Sequence, residues 1–309
     1  MVPAMSAMTI TGDLKQLLPD GAQIEKLAGG FGFLEGPVWT NQDGGYLMFS
    51  DIPRHELKRW SEKDGVSTFR APSTNNGNTR DAEGRLLTAE HDGRKVSRTA
   101  HDGKVEVLAE RYQGKRLNSP NDLVVKRDGT IWFTDPPYGL PNRTEGKELD
   151  KNYVFRLDPR SGDLKPVVDD FDLPNGLAFS ADEKLLYIAD SGKPHHIRAF
   201  DVRDDGSIAN GRVFCTLEVG IPDGFRCDTD GRVWTSAGDG VHVFAPDGSL
   251  IGKIITPDAP GRFDPSKIGP EVPANVCFGG PDWSTLYITA CTSLYRIETS
   301  VRGAGILWK

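Results

Sequence analysis

The chain has 309 residues, of which 37% are hydrophobic and 26% are charged, a balance typical of a folded globular protein. Its formal net charge of −7 argues against nucleic-acid binding, which needs a basic face. No apolar run reaches the roughly 18 residues of a membrane-spanning helix, so we expect neither nucleic acid nor a membrane as a partner.

The first elements of the chain are short. Residues 13–18 form the one amphipathic helical stretch, and residues 22–28 predict a lone β-strand. The stretch before them lacks the basic start and apolar core of a secretory signal. We therefore expect a cytoplasmic protein, with a periplasmic location as the alternative if a signal has been removed.

Paired short strands dominate the rest of the chain. Asp-Gly dipeptides between β-rich segments predict hairpin turns, and their aspartates are Asp64, Asp102, Asp128, Asp205, Asp230 and Asp247. Helical patterns are nearly absent from the same region. The chain is therefore predicted to be all-β.

A unit repeats along the chain, and each copy has a polar head, a short strand, a turn and a second strand. The six heads are Glu35, Asn76, Asn121, Asn175, Asp223 and Asn275. Successive heads are between 41 (76 − 35) and 54 (175 − 121) residues apart. Since the four-stranded blade of a β-propeller repeats about every 40–50 residues, six heads predict a six-bladed propeller.

The ring of blades must also close. Residues 22–28 precede the first head, and residues 293–299 end the last unit. We predict that the N-terminal strand completes the C-terminal blade, because this pairing removes two exposed strand edges. The expected organisation is an N-terminal extension over residues 1–21 and a single propeller domain over residues 22–309.

The heads have a local interpretation and a functional one. A single Asn-Gly or Asp-Gly after proline is usually only a turn. Six heads in phase favour the functional interpretation, because the first strand of every propeller blade lines the central channel. All six side chains would then meet at one channel mouth.

Such a ring has the chemistry of a cation site. Its two carboxylates, Glu35 and Asp223, would repel each other and raise a pKa unless a cation lies between them. Oxygen ligands without Cys or His favour Ca²⁺ first, with Mg²⁺ or Mn²⁺ as alternatives. Signatures of a serine nucleophile, a phosphate-binding loop, a zinc protease and a dinucleotide site are absent from the sequence.

A second polar layer follows the heads. Asp51, Glu90, Asp135 and Asp190 stand fourteen to sixteen residues after their heads, where a hairpin returns to the same end. For Asp51 and Glu90, solvation of the blade rim and a role at the site are both open. For the stretch from Asp135 through two prolines to Tyr138 we favour a pocket wall, whereas Asp122 is interpreted as a turn or rim residue.

Four cysteines are scattered without a CxxC pair, at positions 215, 227, 277 and 291. Reduced core residues are the favoured interpretation in a chain of this length. A disulfide between Cys215 and Cys227 is the alternative.

Five motifs in the chain resemble the gluconolactonase branch of the senescence marker protein/gluconolactonase/luciferin-regenerating enzyme family: FLEGPVW, NSPNDLVV, TDPPYG, LPNGLAFS and IPDGFRCD. The resemblance covers about residues 22–298. It implies a six-bladed propeller with one divalent cation in the channel, for which Zn²⁺ joins the candidate ions. It also implies hydrolysis of a sugar lactone such as glucono-1,5-lactone.

The resemblance also implies residue roles. Glu35, Asn175 and Asp223 would be metal ligands, Asn121 would be either a ligand or a substrate contact, and Asp223 would also be the general base. Sugar hydroxyls would be held by a further set: Asn118, His91, Asp135 and Tyr138.

One departure from the family concerns the substrate. Mammalian members carry a substrate-binding arginine two residues before the Asn121 position, where this chain has Ser119. The identity of the lactone is therefore open, and the bacterial-type branch fits better. Residues 141–152, in the longest gap between heads, are expected to form an entrance loop that helps to define the substrate.

Two rival functions and the assembly state stay open on the sequence. Another calcium-propeller hydrolase, such as a phosphotriesterase or an aliphatic lactonase, could use the same ring. A non-enzymatic binding propeller with a structural ion is the second rival. We expect a monomer or a weak dimer.

Overall fold

The structure is a computed structural model that describes residues 9–256 and 271–305. Within these residues the strands form six antiparallel blades. From the channel outwards, the strands of blades 1 to 3 are Leu34–Thr40, Tyr46–Asp51, Glu56–Ser61 and Gly65–Arg70; Asn75–Arg80, Leu86–Glu90, Lys95–Thr99 and Val105–Ala109; and Leu123–Val125, Ile131–Asp135, Tyr153–Asp158 and Asp163–Val168.

The second half of the ring repeats this plan. The strands of blades 4 to 6 are Pro174–Phe179, Leu185–Asp190, His196–Val202 and Ile208–Thr216; Phe225–Cys227, Val233–Ala237, Gly240–Phe244 and Leu250–Ile255; and Pro273–Gly279, Thr285–Ala290, Ser293–Glu298 and Glu25–Gly29. Innermost strands of successive blades touch, and the first also touches the last, so the ring is closed. The predicted six-bladed propeller is confirmed.

Closure uses the N-terminal strand as predicted. Glu25–Gly29 pairs antiparallel with Ser293–Glu298 and becomes the outermost strand of blade 6. Arg296 Nε lies 2.7 Å from Glu25 Oε2 across this pairing. Backbone hydrogen bonds therefore join the two ends of the ring.

Blades are held to one another by large side chains from their inner strands. Trp39 of blade 1 stacks on Tyr287 of blade 6 with ring centroids 5.1 Å apart. Trp132 of blade 3 meets Phe179 of blade 4 edge to face at 5.5 Å. Burial of each such side chain contributes roughly 2–3 kcal/mol, whereas the outer strands, such as Gly65–Arg70, are largely exposed.

The segment before the ring also packs on it. Thr9–Gly12 adds a fifth strand to blade 5 by pairing with Leu250–Ile255. A 3₁₀ helix, Asp13–Leu17, follows and buries Leu14 in the core between blades 5 and 6. Gly12 is required at its position, since a Cβ there would lie 2.4 Å from the Ile251 carbonyl oxygen.

A few short elements complete the described structure. Arg111–Tyr112 and Lys115–Arg116 form a small hairpin between blades 2 and 3. The remaining 3₁₀ turns are Gln42–Gly44, Ile52–Arg54 and Pro141–Arg143. In residues 9–256 and 271–305, no helix has the length and apolar character needed to cross a membrane.

All four cysteines are buried and free. Reduced core cysteines are thus confirmed, and the alternative disulfide between Cys215 and Cys227 is wrong. Both of these side chains pack in the apolar core between blades 4 and 5.

Candidate active site

The six heads meet at one mouth of the channel, because each opens the innermost strand of its blade. Glycines that follow the heads show how closely they meet. A Cβ on Gly36 would lie 2.1 Å from the Asn76 carbonyl oxygen, and one on Gly176 would lie 2.3 Å from that of Asp223. Glycine is thus needed after Glu35 and Asn175, since the backbone there touches the next blade.

Hydrogen bonds tie some of the heads to the blade before them. Ser50 Oγ donates to the Asn76 carbonyl oxygen at 2.8 Å, and Thr134 Oγ1 donates to that of Asn175 at 2.8 Å. Both hydroxyls come from the second strand of the preceding blade. The ring is therefore set by the blade-to-blade packing and not by the loops.

Glu35 is a buried carboxylate with two donors. Its Oε2 accepts the Gly36 N–H at 2.8 Å and the Asn275 amide Nδ2 at 2.9 Å. Burial raises the pKa of Glu35 to about 7, and the charge of Asp122 adds to the rise against these hydrogen bonds. Asn275, a head by sequence, thus acts as a support for Glu35.

Asp223 shares the same mouth. Burial raises its pKa well above the usual range, and the charges of Glu35 and Asp122 raise the pKa further. A hydrogen bond from Asn175 acts in the opposite direction. The Asn175 amide Nδ2 also donates to Ser191 Oγ at 2.9 Å, which fixes its orientation.

The prediction that Asp122 is a turn or rim residue is wrong. It is 2% exposed, and its Oδ2 lies 3.4 Å from Arg226 Nη1 of blade 5. The expectation failed because Asp122 stands directly after a head, where four other units have glycine. Burial raises the pKa of Asp122, and Arg226 opposes that rise.

The remaining two heads place further amide oxygens in the ring. Asn121 is 7% exposed, and its backbone carbonyl accepts the Gly77 N–H at 2.8 Å. Asn76 has a buried Oδ1 to which no described residue donates. Amide oxygens therefore accompany the two carboxylates around the mouth.

Carboxylates at the ends of the second strands have a different role from the heads. Asp51 Oδ1 accepts the Gly32 N–H at 3.1 Å, and Asp190 Oδ1 accepts the Leu173 N–H at 2.9 Å. Each holds the loop that leads into the head of its own blade. Glu90 instead accepts two hydroxyls, Thr74 Oγ1 and Ser97 Oγ, both at 2.6 Å.

These carboxylates are buried, so the rim interpretation of Asp51 and Glu90 is wrong. Asp135 belongs to the same group. Its Oδ2 accepts the Asn118 N–H at 2.8 Å, and burial raises its pKa to about 7. We call Asp51, Glu90, Asp135 and Asp190 the loop clamps.

The loop after Asp135 is held by its neighbours. Ser119 Oγ donates to the Pro136 carbonyl at 2.7 Å and accepts the Gly139 N–H at 2.8 Å. A Cβ on Gly139 would lie 2.9 Å from His91 Nδ1, so His91 packs directly against this loop. Asn118 pins the same region through bonds to the Asp135 and Lys151 carbonyls.

Tyr138 connects this loop to the ring. Burial raises the pKa of its phenol, and the charge of Asp223 adds to the rise. The hydroxyl stands beside Ser191 without a well-formed hydrogen bond. On the other side, the Arg143 guanidinium lies 5.0 Å from the centre of the Tyr138 ring.

An apolar wall flanks Asp223 on the side of blades 5 and 6. It encloses a cavity of ≈ 50 Å³. Its lining is Phe33, Ile221, Asp223, Ala237, Gly238, Val272, Pro273, Ala274 and Cys291. Asp223 thus borders an apolar cavity as well as the ring of heads.

The comparison with protein families decides the affiliation. The model of the SMP-30/Gluconolactonase/LRE-like region matches residues 33–292. The chain belongs to the SMP-30/gluconolactonase/LRE-like family. The resemblance stated from five motifs is confirmed, and with it the expectation of an enzyme of the gluconolactonase type.

Relatives of this family cover most of the chain. A gluconolactonase of Zymomonas mobilis is 32% identical and covers 94% of this chain, which in turn spans 85% of that protein. A 6-deoxy-6-sulfogluconolactonase of Pseudomonas putida is 30% identical, with 83% and 82% covered. The structure of a Xanthomonas campestris gluconolactonase has a TM-score of 0.84, 36% identity and 94% coverage of each chain.

The divalent cation implied by the family resemblance would need oxygen donors at the mouth. No cluster of three His, Cys, Asp or Glu side chains suited to a metal is found within residues 9–256 and 271–305. Only two heads are carboxylates, so a site here would need amide oxygens as well. Glu35, Asp223 and the unpartnered Asn76 Oδ1 offer hard oxygen donors, and a cation would relieve the repulsion between the two carboxylates.

The site residues that the sequence did not predict make their contacts mainly across the channel. Asp122 and Arg226 meet although 104 positions separate them. Ser119 was seen only as a departure from the mammalian arginine, and Ser191 was not singled out. The one usable signal was the aspartate at position 122, where four of the other five heads are followed by glycine.

Proposed function

We propose that the protein hydrolyses a sugar lactone, glucono-1,5-lactone or a related aldonolactone, with one divalent cation, preferably Ca²⁺. In this proposal Glu35, Asn175 and Asp223 hold the ion, and Asn121 contacts either the ion or the substrate beside it. The observation that carries it is the convergence of Glu35, Asn175 and Asp223 at one mouth, where Asn275 bonds Glu35 and the backbone after Asn175 touches that of Asp223.

The bound cation would polarise the lactone carbonyl and favour the ionised forms of Glu35 and Asp223. Asn275 and the Gly36 N–H hold Glu35 in one orientation through hydrogen bonds of 2.9 and 2.8 Å. Ser191 does the same for Asn175. The ligands are therefore pre-oriented by the propeller itself.

Asp223 serves as the general base in this proposal. Its carboxylate takes a proton from the water that attacks the carbonyl carbon. The bond between that carbon and the ring oxygen then breaks, and the proton passes to the ring oxygen as it leaves. Water has then added across the ester bond, and the product is an open-chain hydroxy acid.

Tyr138 is proposed to hold the sugar beside the ring. Its hydroxyl can donate to a substrate oxygen, and its ring can stack on the sugar. Ser119 supports this role, since it fixes the loop that carries Tyr138. His91 lies behind Gly139, at the edge of the same wall.

Asn118 and Asp135 support that wall from behind. Both are 0% exposed, and their polar atoms serve the loop backbone. Their predicted contact with sugar hydroxyls would need this loop to open. The entrance loop over residues 141–152 is mostly exposed and supplies Arg143 next to Tyr138.

The test is lactone hydrolysis by Asp223→Asn, with Asp247→Asn as the matched control. Asp247 is an exposed turn residue of the same blade. Loss of the general base should lower kcat by about 10²–10⁴-fold, and the control should equal wild type. Full activity of Asp223→Asn would contradict the mechanism.

The same assay separates the rival hydrolases. Rates on glucono-1,5-lactone, an aliphatic lactone and a phosphotriester are measured with the wild-type protein. The proposal expects the highest kcat/KM for the sugar lactone. A higher kcat/KM for either other substrate would replace it, and no activity with any cation would favour a binding propeller.

A further inference from the structure

The channel contains one more ion pair than lactone hydrolysis needs. Arg226 lies on the innermost strand of blade 5, three residues after Asp223. Its Nη1 donates to the Phe225 carbonyl at 2.7 Å and lies 3.4 Å from Asp122 Oδ2 of blade 3. The pair therefore joins two blades that are not neighbours.

Asp122 is held in place from its other side. Its Oδ1 accepts the Leu123 N–H at 2.9 Å. Glu35 is held separately, by the Asn275 amide that donates to its Oε2 at 2.9 Å. The charges of Asp122 and Glu35 both raise the pKa of Asp223.

The charges at the mouth add up simply. Glu35, Asp122 and Asp223 contribute three negative charges when ionised, and Arg226 contributes one positive charge. The guanidinium acts on both Glu35 and Asp122 and stabilises their ionised forms. Two negative charges remain, which is the charge that a divalent cation neutralises.

We propose that Asp122 and Arg226 form a positioning pair that sets the charge of the mouth and thereby selects a divalent cation. This inference rests on the proposed function, since it assumes that the ring holds an ion. Neither residue needs to touch the ion or the lactone. The pair acts through the field at the mouth, which is strong because the site is buried.

Single substitutions should shift ion binding in opposite directions. Asp122→Asn leaves Arg226 unpaired and one net negative charge, so Ca²⁺ binding should weaken at least about tenfold. Arg226→Gln leaves three negative charges, so binding of La³⁺ relative to Ca²⁺ should strengthen at least about tenfold. The double variant restores two negative charges and should recover the wild-type ratio.

The experiment is calorimetric titration of the full-length protein with Ca²⁺ and, separately, La³⁺ at one ionic strength. Arg226→Lys is the matched control, because it keeps the charge and should keep the wild-type ratio of the two dissociation constants. A pair that only holds the fold would weaken both ions in both single variants. That result, or an unchanged ratio in Arg226→Gln, overturns the proposal.

A single variant that does not fold without ions is compared by its melting temperature with each ion present. The charge account expects La³⁺ to restore Arg226→Gln more strongly than Ca²⁺ does. Equal effects, or no restoration by either ion, count against it. Failure of the wild type to bind any ion also overturns the proposal.

Lactone hydrolysis separates this inference from the proposed function. A wild type that binds Ca²⁺, with opposite shifts in the variants but without lactonase activity, removes the function and keeps the charge account. Lactonase activity without opposite shifts in ion binding keeps the proposed function and removes the charge account.

Discussion

Two sets of polar residues lie near the same end of the propeller, and their environments differ. The heads Glu35 and Asp223 lie close enough to repel each other, and burial raises the pKa of both. The loop clamps Asp51 and Asp190 accept backbone N–H groups of the loops before their heads. The comparison teaches that the start of the innermost strand brings carboxylates of different blades together, whereas the end of the second strand places a carboxylate against the backbone of its own blade.

After Asp223→Asn, the largest effect among the heads is expected from Glu35→Gln. Loss of one ring carboxylate should lower kcat/KM for the lactone by about 10²-fold or more, because the ion loses a charged ligand. Stability in chelator should stay equal or increase, since a buried charge is removed. Urea unfolding and initial rates measure the two quantities.

The matched control for Glu35→Gln is Glu110→Gln, at an exposed position of the described chain. It should equal wild type in both assays. A Glu35→Gln protein with full activity and lower stability would place Glu35 among the loop clamps.

Asp190→Ala should lower stability and largely keep activity, the opposite of Glu35→Gln. The carboxylate accepts three backbone N–H groups, those of Asp172, Leu173 and Gly192, at 2.9, 2.9 and 3.0 Å. Their loss should lower the free energy of unfolding by about 2–4 kcal/mol, measured in urea. The folded fraction should keep kcat within about threefold, and a larger loss of kcat without destabilisation would remove the distinction.

The pH dependence of stability sharpens the comparison at Asp135. Its pKa is about 7 in the folded protein against an ordinary value of 3.8. As pH rises, the unfolded chain loses this proton at a lower pH than the folded protein does. The free energy of unfolding therefore falls from about pH 4 to pH 7 and stays lower above pH 7. The full loss is on the order of 4 kcal/mol at about 1.4 kcal/mol per pKa unit.

Asp135→Asn removes this titration and should keep the bond from the Asn118 N–H. Urea unfolding of both proteins from pH 4 to pH 8 measures the difference in stability. The wild type should lose stability relative to the variant as pH rises. A difference that is flat or rises with pH would show that a charged Asp135 is fully compensated.

The smallest effect is expected at the pocket wall. Tyr138→Phe should raise KM about five- to tenfold, because one hydrogen bond to the substrate is lost. The fold should be unaffected, since the hydroxyl has no well-formed bond in the protein. Tyr112→Phe, on the small hairpin after blade 2, is the matched control, and an unchanged KM in Tyr138→Phe would remove the tyrosine from the site.

The repeat made much of the fold predictable. Polar heads at a steady spacing fixed the number of blades, and the lone strand before Glu35 revealed how the ring closes. The fifth strand on blade 5, Thr9–Gly12, was not predictable, because no other blade repeats it. Its one local signal is Gly12, whose need for a close backbone approach is visible only in three dimensions.

The site was predictable as far as the repeat reaches. The positions of the six heads follow from the spacing of the repeat alone. The Asp122–Arg226 pair crosses the channel between blades 3 and 5, and no periodicity reports a contact across a channel. The loop clamps were seen as a layer, but their burial and their backbone partners depend on packing that the sequence does not display.

The most direct test of the account is the rate of glucono-1,5-lactone hydrolysis by the chelated protein as Ca²⁺ is added back, with the uncatalysed rate subtracted. The account predicts that chelation abolishes activity and that one Ca²⁺ per chain restores it. An enzymatic rate that is unchanged by chelation would contradict the central claim that the ring of heads acts through a cation.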